Sequence, residues 1–130
     1  MLIFPVTILL LCGVGLYASA VMTRKALRAS REGLAEPSVV QTTRARVLGG
    51  TPNAALGLAY YAALACATPL FALPSVWWPS LVAACAAAAF SVYLAYSLLF
   101  VTRMPCVYCW TSHAINWTLP VLVLLARVTA

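Results

Sequence analysis

The sequence predicts an all-α fold, an integral membrane four-helix bundle, and three observations carry that prediction. Only 8% of the 130 residues are charged while 65% are hydrophobic. Soluble domains charge about a quarter of their residues, so most of this outer surface must face lipid. Uncharged runs of about 20 residues, enough to cross a bilayer, recur along the chain. The breaks between them fall where proline, tryptophan and arginine cluster. The length fits a single bundle over 1–130 and leaves no room for a second soluble domain.

A first helix is expected near 2–22, because Met1 to Thr23 carries no charge. Ala18-Ser19-Ala20 has the small-residue look of a signal-peptidase site. The segment lacks a basic leading region, however, and its apolar part runs the full width of a bilayer, so a retained helix is expected. Residues 23–51 form the one polar stretch. It holds Arg24, Lys25, Arg28, Arg31, Arg44 and Arg46 and both acids, Glu32 and Glu36. Thr23 to Leu34 is expected as a short basic amphipathic helix on the membrane surface. Pro37, Gly49, Gly50 and Pro52 make the remainder loop-like. The net charge is +6, but a cluster in one connection beside apolar spans points to the headgroups of the lipid bilayer, not to nucleic acid.

The run from Val47 to Thr102 is uncharged and too long for one helix. Leu73-Pro74-Ser75 and Trp77-Trp78-Pro79 divide it, since prolines break helices and tryptophans favour the membrane interface. Helices are therefore expected near 52–72 and 79–101. Both are dense in alanine and glycine, which lets helix backbones approach closely in lipid. Arg103 ends the third helix, and a fourth is expected near 105–128, kinked at Pro120.

Of five cysteines, Cys12, Cys66 and Cys85 lie singly inside the expected spans, where small packing residues with inert thiols are the ordinary reading. Cys106-Val107-Tyr108-Cys109 differs, because it lies at a membrane boundary just after Arg103 and Pro105. Proline suits the first helical position, which places both sulfurs in the first turn, by the positive end of the helix dipole. That setting, with Arg103 close by, favours a reactive thiolate. Zinc wants about four ligands, and the chain has one histidine and no second cysteine pair. Covalent haem attachment wants a histidine directly after the second cysteine, where Trp110 stands. A thioredoxin domain needs βαβ elements that the chain does not display. Reversible redox chemistry and an incidental pair both stand. Residues 106, 109, 113 and 116 share one helical stripe, reading Cys106, Cys109, His113, Asn116. Polar groups at membrane depth are costly and face a bundle interior or a cavity. His113 fits either a helix–helix hydrogen bond or a donor to a bound acceptor.

The segment Pro105-Cys106-Val107-Tyr108-Cys109-Trp110-Thr111-Ser112-His113-Ala114-Ile115-Asn116 resembles the fourth-helix motif of the vitamin K epoxide reductase family, especially its bacterial members. Gly50-Thr51-Pro52-Asn53-Ala54-Ala55-Leu56-Gly57-Leu58-Ala59-Tyr60-Tyr61 resembles the start of that family's second helix. The resemblance implies a membrane oxidoreductase of the bacterial inner membrane. It would pass electrons from a thioredoxin-fold or other dithiol donor to a membrane quinone, ubiquinone or menaquinone. It further implies that Cys106 exchanges with the incoming thiol and Cys109 faces the quinone. Asn53 would hydrogen-bond a quinone oxygen and His113 would stand against the quinone head. Asn116 matches as well, in a binding or structural role. No metal is implied.

Two features depart from the family pattern. Typical members carry two relay cysteines in the loop after the first helix, whereas Arg24 to Gly50 has none; Ala29 and Pro37 stand near those places. A donor then attacks the Cys106–Cys109 pair directly, or the physiological substrate differs, or the chain is a redox-inactive structural subunit. The second departure is sidedness. Seven of the eight basic residues fall on the side of the cysteine pair, which the positive-inside rule puts in the cytoplasm. The family resemblance implies the opposite face, where disulfides persist.

Overall fold

The computed structural model describes residues 2–33, 39–42, 45–47 and 51–129. Glu36, Pro37, Arg44, Gly49 and Gly50 lie outside the described residues. Four long helices make the bundle: α1 (Ile3–Arg31), α2 (Asn53–Ala67), α3 (Pro74–Tyr96) and α4 (Val107–Val128). Three of these spans, with α3 counted through Thr102, are long and apolar enough to cross a membrane. At 1.5 Å per residue, the 15 residues of α2 reach only about 22 Å.

The boundaries differ from expectation for local reasons. α1 runs on through Arg31 as one helix, so the basic segment is its continuation and not a separate surface helix. Lys25, Ala26, Leu27 and Arg28 are good helix formers, and no breaker intervenes before Gly33. That glycine adopts φ +74, the left-handed conformation that commonly ends a helix. α2 stops at Ala67 and tightens into a 3-10 turn, Thr68–Leu70, because Pro69 has no N–H to continue the ladder. α3 begins at Pro74, five residues earlier than expected, with Leu73 as its cap. Proline suits that first position. Pro79 lies inside the helix, in the second turn, where a missing N–H deprives only the Ser75 carbonyl. α4 passes through Pro120 without ending. A short antiparallel pairing was not foreseen: β1 (Arg46–Val47) pairs with β2 (Thr51–Pro52), Val47 opposite Thr51. It delivers the chain directly into Asn53, the first residue of α2.

α1 packs on both α2 and α4, and α3 packs on α4, whereas α2 and α3 meet only sparsely. An open groove of about 410 Å³ lies between α2 and α3. The core joins Ile8 and Cys12 of α1, Tyr61 and Leu64 of α2, Trp77 of α3, and Ile115, Leu119 and Val123 of α4. Two glycines stand where helices approach closely. A Cβ at Gly15 would stand 2.7 Å from the Tyr61 ring, and one at Gly57 would stand 2.9 Å from Ser19 Oγ. Of the alanines of 83–89, Ala84 is buried, Ala87 and Ala88 are half-buried, and Ala83, Ala86 and Ala89 are exposed. Large apolar side chains such as Leu10, Val82, Val92 and Leu99 are exposed on the bundle's exterior, a surface suited to lipid and not to water.

One end of the bundle is sealed. The Trp77 indole N–H donates to the Val123 carbonyl at 3.0 Å. Arg127 Nη1 donates to the Phe71 and Ala72 carbonyls at 3.0 and 2.7 Å, and its guanidinium stands 5.9 Å from the Trp77 ring centre. The carbonyls left over where α2 gives way to α3 are thus answered by a side chain of α4.

Candidate active site

The cysteine pair lies at the other end. After Tyr96 the chain widens into a π-helical turn, Ser97–Thr102, and stops at Arg103, which takes the left-handed conformation (φ 53). The Arg103 N–H closes the turn on the Leu98 carbonyl at 3.0 Å. A non-glycine residue there costs about 1–2 kcal/mol, and the reversal it makes sends the chain into α4. The Arg103 side chain turns back onto the Phe100 carbonyl through Nε, at 3.3 Å. It caps the helix it ends.

Helix α4 starts two residues later than expected. Pro105 stands outside it, and Cys106 is the N-cap. Cys106 Sγ accepts from the Cys109 N–H at 3.2 Å, doing what a serine or aspartate oxygen does at this position. The two cysteines form a disulfide across a Cα separation of 5.3 Å. The Cys106 sulfur thus has an N–H donor and the positive end of α4 beside it. Cys106 and Cys109 are each half-buried, so a reagent from outside the bundle has access to the pair. Of the remaining thiols, Cys12 is buried, whereas Cys66 and Cys85 face outward. Interior packing therefore accounts for Cys12 alone.

Cys109 also forms part of the wall of a cavity of about 240 Å³ between the helices. Asn53, His113 and Asn116 line the same cavity, whereas Cys106 does not. The structure thus gathers four of the five residues singled out in the sequence around one space and sets the fifth at its margin. His113 is 5% exposed. Trp110 meets its ring edge-on at 5.8 Å and Trp117 stacks on it at 6.1 Å. Its Nδ1 is buried with no hydrogen-bond partner among the described residues. Asn53 reaches the cavity from the start of α2 and also borders a smaller pocket of about 70 Å³, shared with Thr42, Thr102 and Cys109.

Asn116 is engaged on both sides. Its Oδ1 accepts from the Tyr61 hydroxyl at 2.7 Å, and its Nδ2 donates to Ser91 Oγ at 2.7 Å. One amide thereby ties α2, α3 and α4 together. Tyr60, Tyr61 and Ser91 were missed in the sequence reading. The available signal was that hydroxyls at membrane depth need partners.

The donor set and walls fit a flat ring bearing oxygens. Ala54, Leu56, Phe90 and Leu94 make the walls apolar, and the lining also includes the polar residues Asn53, His113 and Asn116. Pockets for drug-sized ligands are about 300–1,000 Å³, so a space of about 240 Å³ has room for a ring-sized group. Against known families, residues 6–124 match the vitamin K epoxide reductase family. The chain belongs to that family. Among vitamin K epoxide reductase family proteins, it is a multi-pass helical membrane protein of a thiol–disulfide oxidoreductase class whose enzymes are linked to quinones and thiol donors in general. Compared directly with individual curated proteins, the chain matches none.

Proposed function

We propose that this vitamin K epoxide reductase family member is a quinone-dependent thiol oxidoreductase of the bacterial inner membrane. It would form disulfides by passing electrons from a donor dithiol through Cys106 and Cys109. One observation carries the reading: the Cys106–Cys109 disulfide has one sulfur-bearing residue on the wall of a cavity also lined by His113, whose buried Nδ1 lacks a partner among the described residues.

A donor thiolate attacks Cys106 Sγ, forming a mixed disulfide and releasing Cys109 as a thiolate. The second donor thiol attacks the mixed disulfide and frees Cys106. The donor has then lost two electrons and two protons, and the cysteine pair has gained them. A bound quinone supplies an acceptor for the same two electrons and two protons, which restores the disulfide. Asn53 and His113 would hold a quinone oxygen, and hydrogen bonds aimed at charge that appears only during reaction are effective in a site shielded from water. Cys109, facing the cavity, is the thiol next to the acceptor. With no cysteine in 13–65, the donor reaches Cys106 directly. The test is steady-state turnover of purified protein in lipid with a reduced dithiol protein and a quinone. Cys109→Ala is expected to show no turnover above background, and equal rates for variant and wild type would refute the mechanism.

The missing loop cysteines favour a second reading, a redox-inactive subunit in which Cys106–Cys109 is a structural disulfide. A redox titration separates the two readings. A structural bond resists reduction to below about −300 mV, whereas an exchanging pair titrates at higher potential.

A further inference from the structure

Tyr60 carries a hydroxyl that the mechanism above leaves unused. It lies seven residues beyond Asn53, on the same face of α2. Gly57 stands between them with no side chain to fill the space, and all three line the cavity shared by Cys109 and His113. The neighbouring Tyr61 hydroxyl is spoken for by Asn116. The Tyr60 ring packs against that of Tyr61 at 5.1 Å, but the Tyr60 hydroxyl is buried without a hydrogen-bond partner among the described residues. A phenylalanine would fill the same ring volume without burying an unpaired donor, a state that is unfavourable in itself. Two residues of the cavity lining, Tyr60 on α2 and His113 on α4, therefore each carry a buried polar atom with no partner among the described residues, Tyr60 Oη and His113 Nδ1, and Tyr60 also borders the α2–α3 groove.

We infer that Tyr60 is a specificity-determining donor that selects a ring with two para oxygens, a 1,4-dione, by hydrogen-bonding the oxygen opposite the one held by Asn53 and His113. This rests on the quinone reading above and narrows it. A 1,4-dione that takes up two electrons gains negative charge at both oxygens, so each needs a donor. An acceptor with a single carbonyl needs donors at one end only.

The test uses the full chain in lipid nanodiscs with the Cys106–Cys109 bond oxidised, so that binding is read without electron transfer. The probes are 2,3-dimethyl-1,4-naphthoquinone and the single-carbonyl analogue 1-tetralone, followed by quenching of Trp110 and Trp117, which flank His113. Tyr60→Phe is expected to weaken naphthoquinone binding by roughly three- to tenfold, the range for one lost hydrogen bond. Tetralone binding should be unchanged, and the ligand-free variant should melt no lower than wild type. An equal loss for both ligands would reduce Tyr60 to a packing residue, and no loss for either would remove it from the site; both outcomes overturn the inference while leaving wild-type binding intact. Wild type that binds neither ligand would overturn the quinone reading itself, and the inference with it.

Discussion

The two ends of the bundle handle buried polar groups in opposite ways. At the α2–α3 turn the described polar contacts close on one another: Trp77 answers Val123, and Arg127 answers both Phe71 and Ala72. Around the cavity and the α3–α4 turn, some polar atoms are instead buried without partners and the backbone is less regular. His113 Nδ1 and the Tyr60 hydroxyl have no partner among the described residues, Arg103 is held in a left-handed conformation, and a sulfur takes the place of an oxygen cap. In lipid, unsatisfied polar groups are expensive. The sealed end therefore supplies stability, and the cavity end has given some up in exchange for a place to bind and react.

The contrast can be broken by substitution. The largest structural effect is expected at the sealed end. Trp77→Ala removes a buried ring and its bond to α4, a loss of about 3–5 kcal/mol, readable as a lowered thermal or denaturant midpoint in lipid or detergent. The midpoint potential of Cys106–Cys109 in the remaining folded molecules should not move; if it does, the ends are not independent. Gly15→Ala is expected to cost about 1–3 kcal/mol by overpacking, because the new methyl meets the Tyr61 ring at 2.7 Å. Since Tyr61 bonds Asn116 beside the cavity, this variant should also weaken quinone binding, which Trp77→Ala should not do. Smallest is Asn116→Ala. It cuts two interhelical hydrogen bonds worth roughly 0.6 kcal/mol each in membrane proteins, about 1 kcal/mol in all. A larger loss would mean that the Tyr61–Asn116–Ser91 chain acts as a unit.

Much of this division was legible in the sequence, and the reasons differ by feature. Four apolar helices follow from composition, since almost nothing else satisfies backbone groups in lipid. The stripe of Cys109, His113 and Asn116 follows from helical period alone, and Asn53 from a motif. Helix ends were harder. The extension of α1 depends on the absence of a breaker before Gly33, which charge patterning obscured. The start of α3 turned on whether Pro74 opens a helix or ends one, and a proline permits both. The two-residue strands that position Asn53 are too short to leave a periodic signal. Tyr61–Asn116 and Asn116–Ser91 join residues 55 and 25 positions apart, and no local pattern reports contacts of that range. The unsatisfied Tyr60 hydroxyl is recognisable only once its surroundings are known.

The most direct test is a single turnover. The protein is reduced in nanodiscs and freed of reductant without oxygen. One equivalent of quinone is then added, and remaining thiols and quinol formed are counted. The account predicts that two thiols, those of Cys106 and Cys109, disappear for each quinol that forms, with Cys12, Cys66 and Cys85 still reduced. Persistence of the Cys106 and Cys109 thiols in the presence of quinone would contradict it.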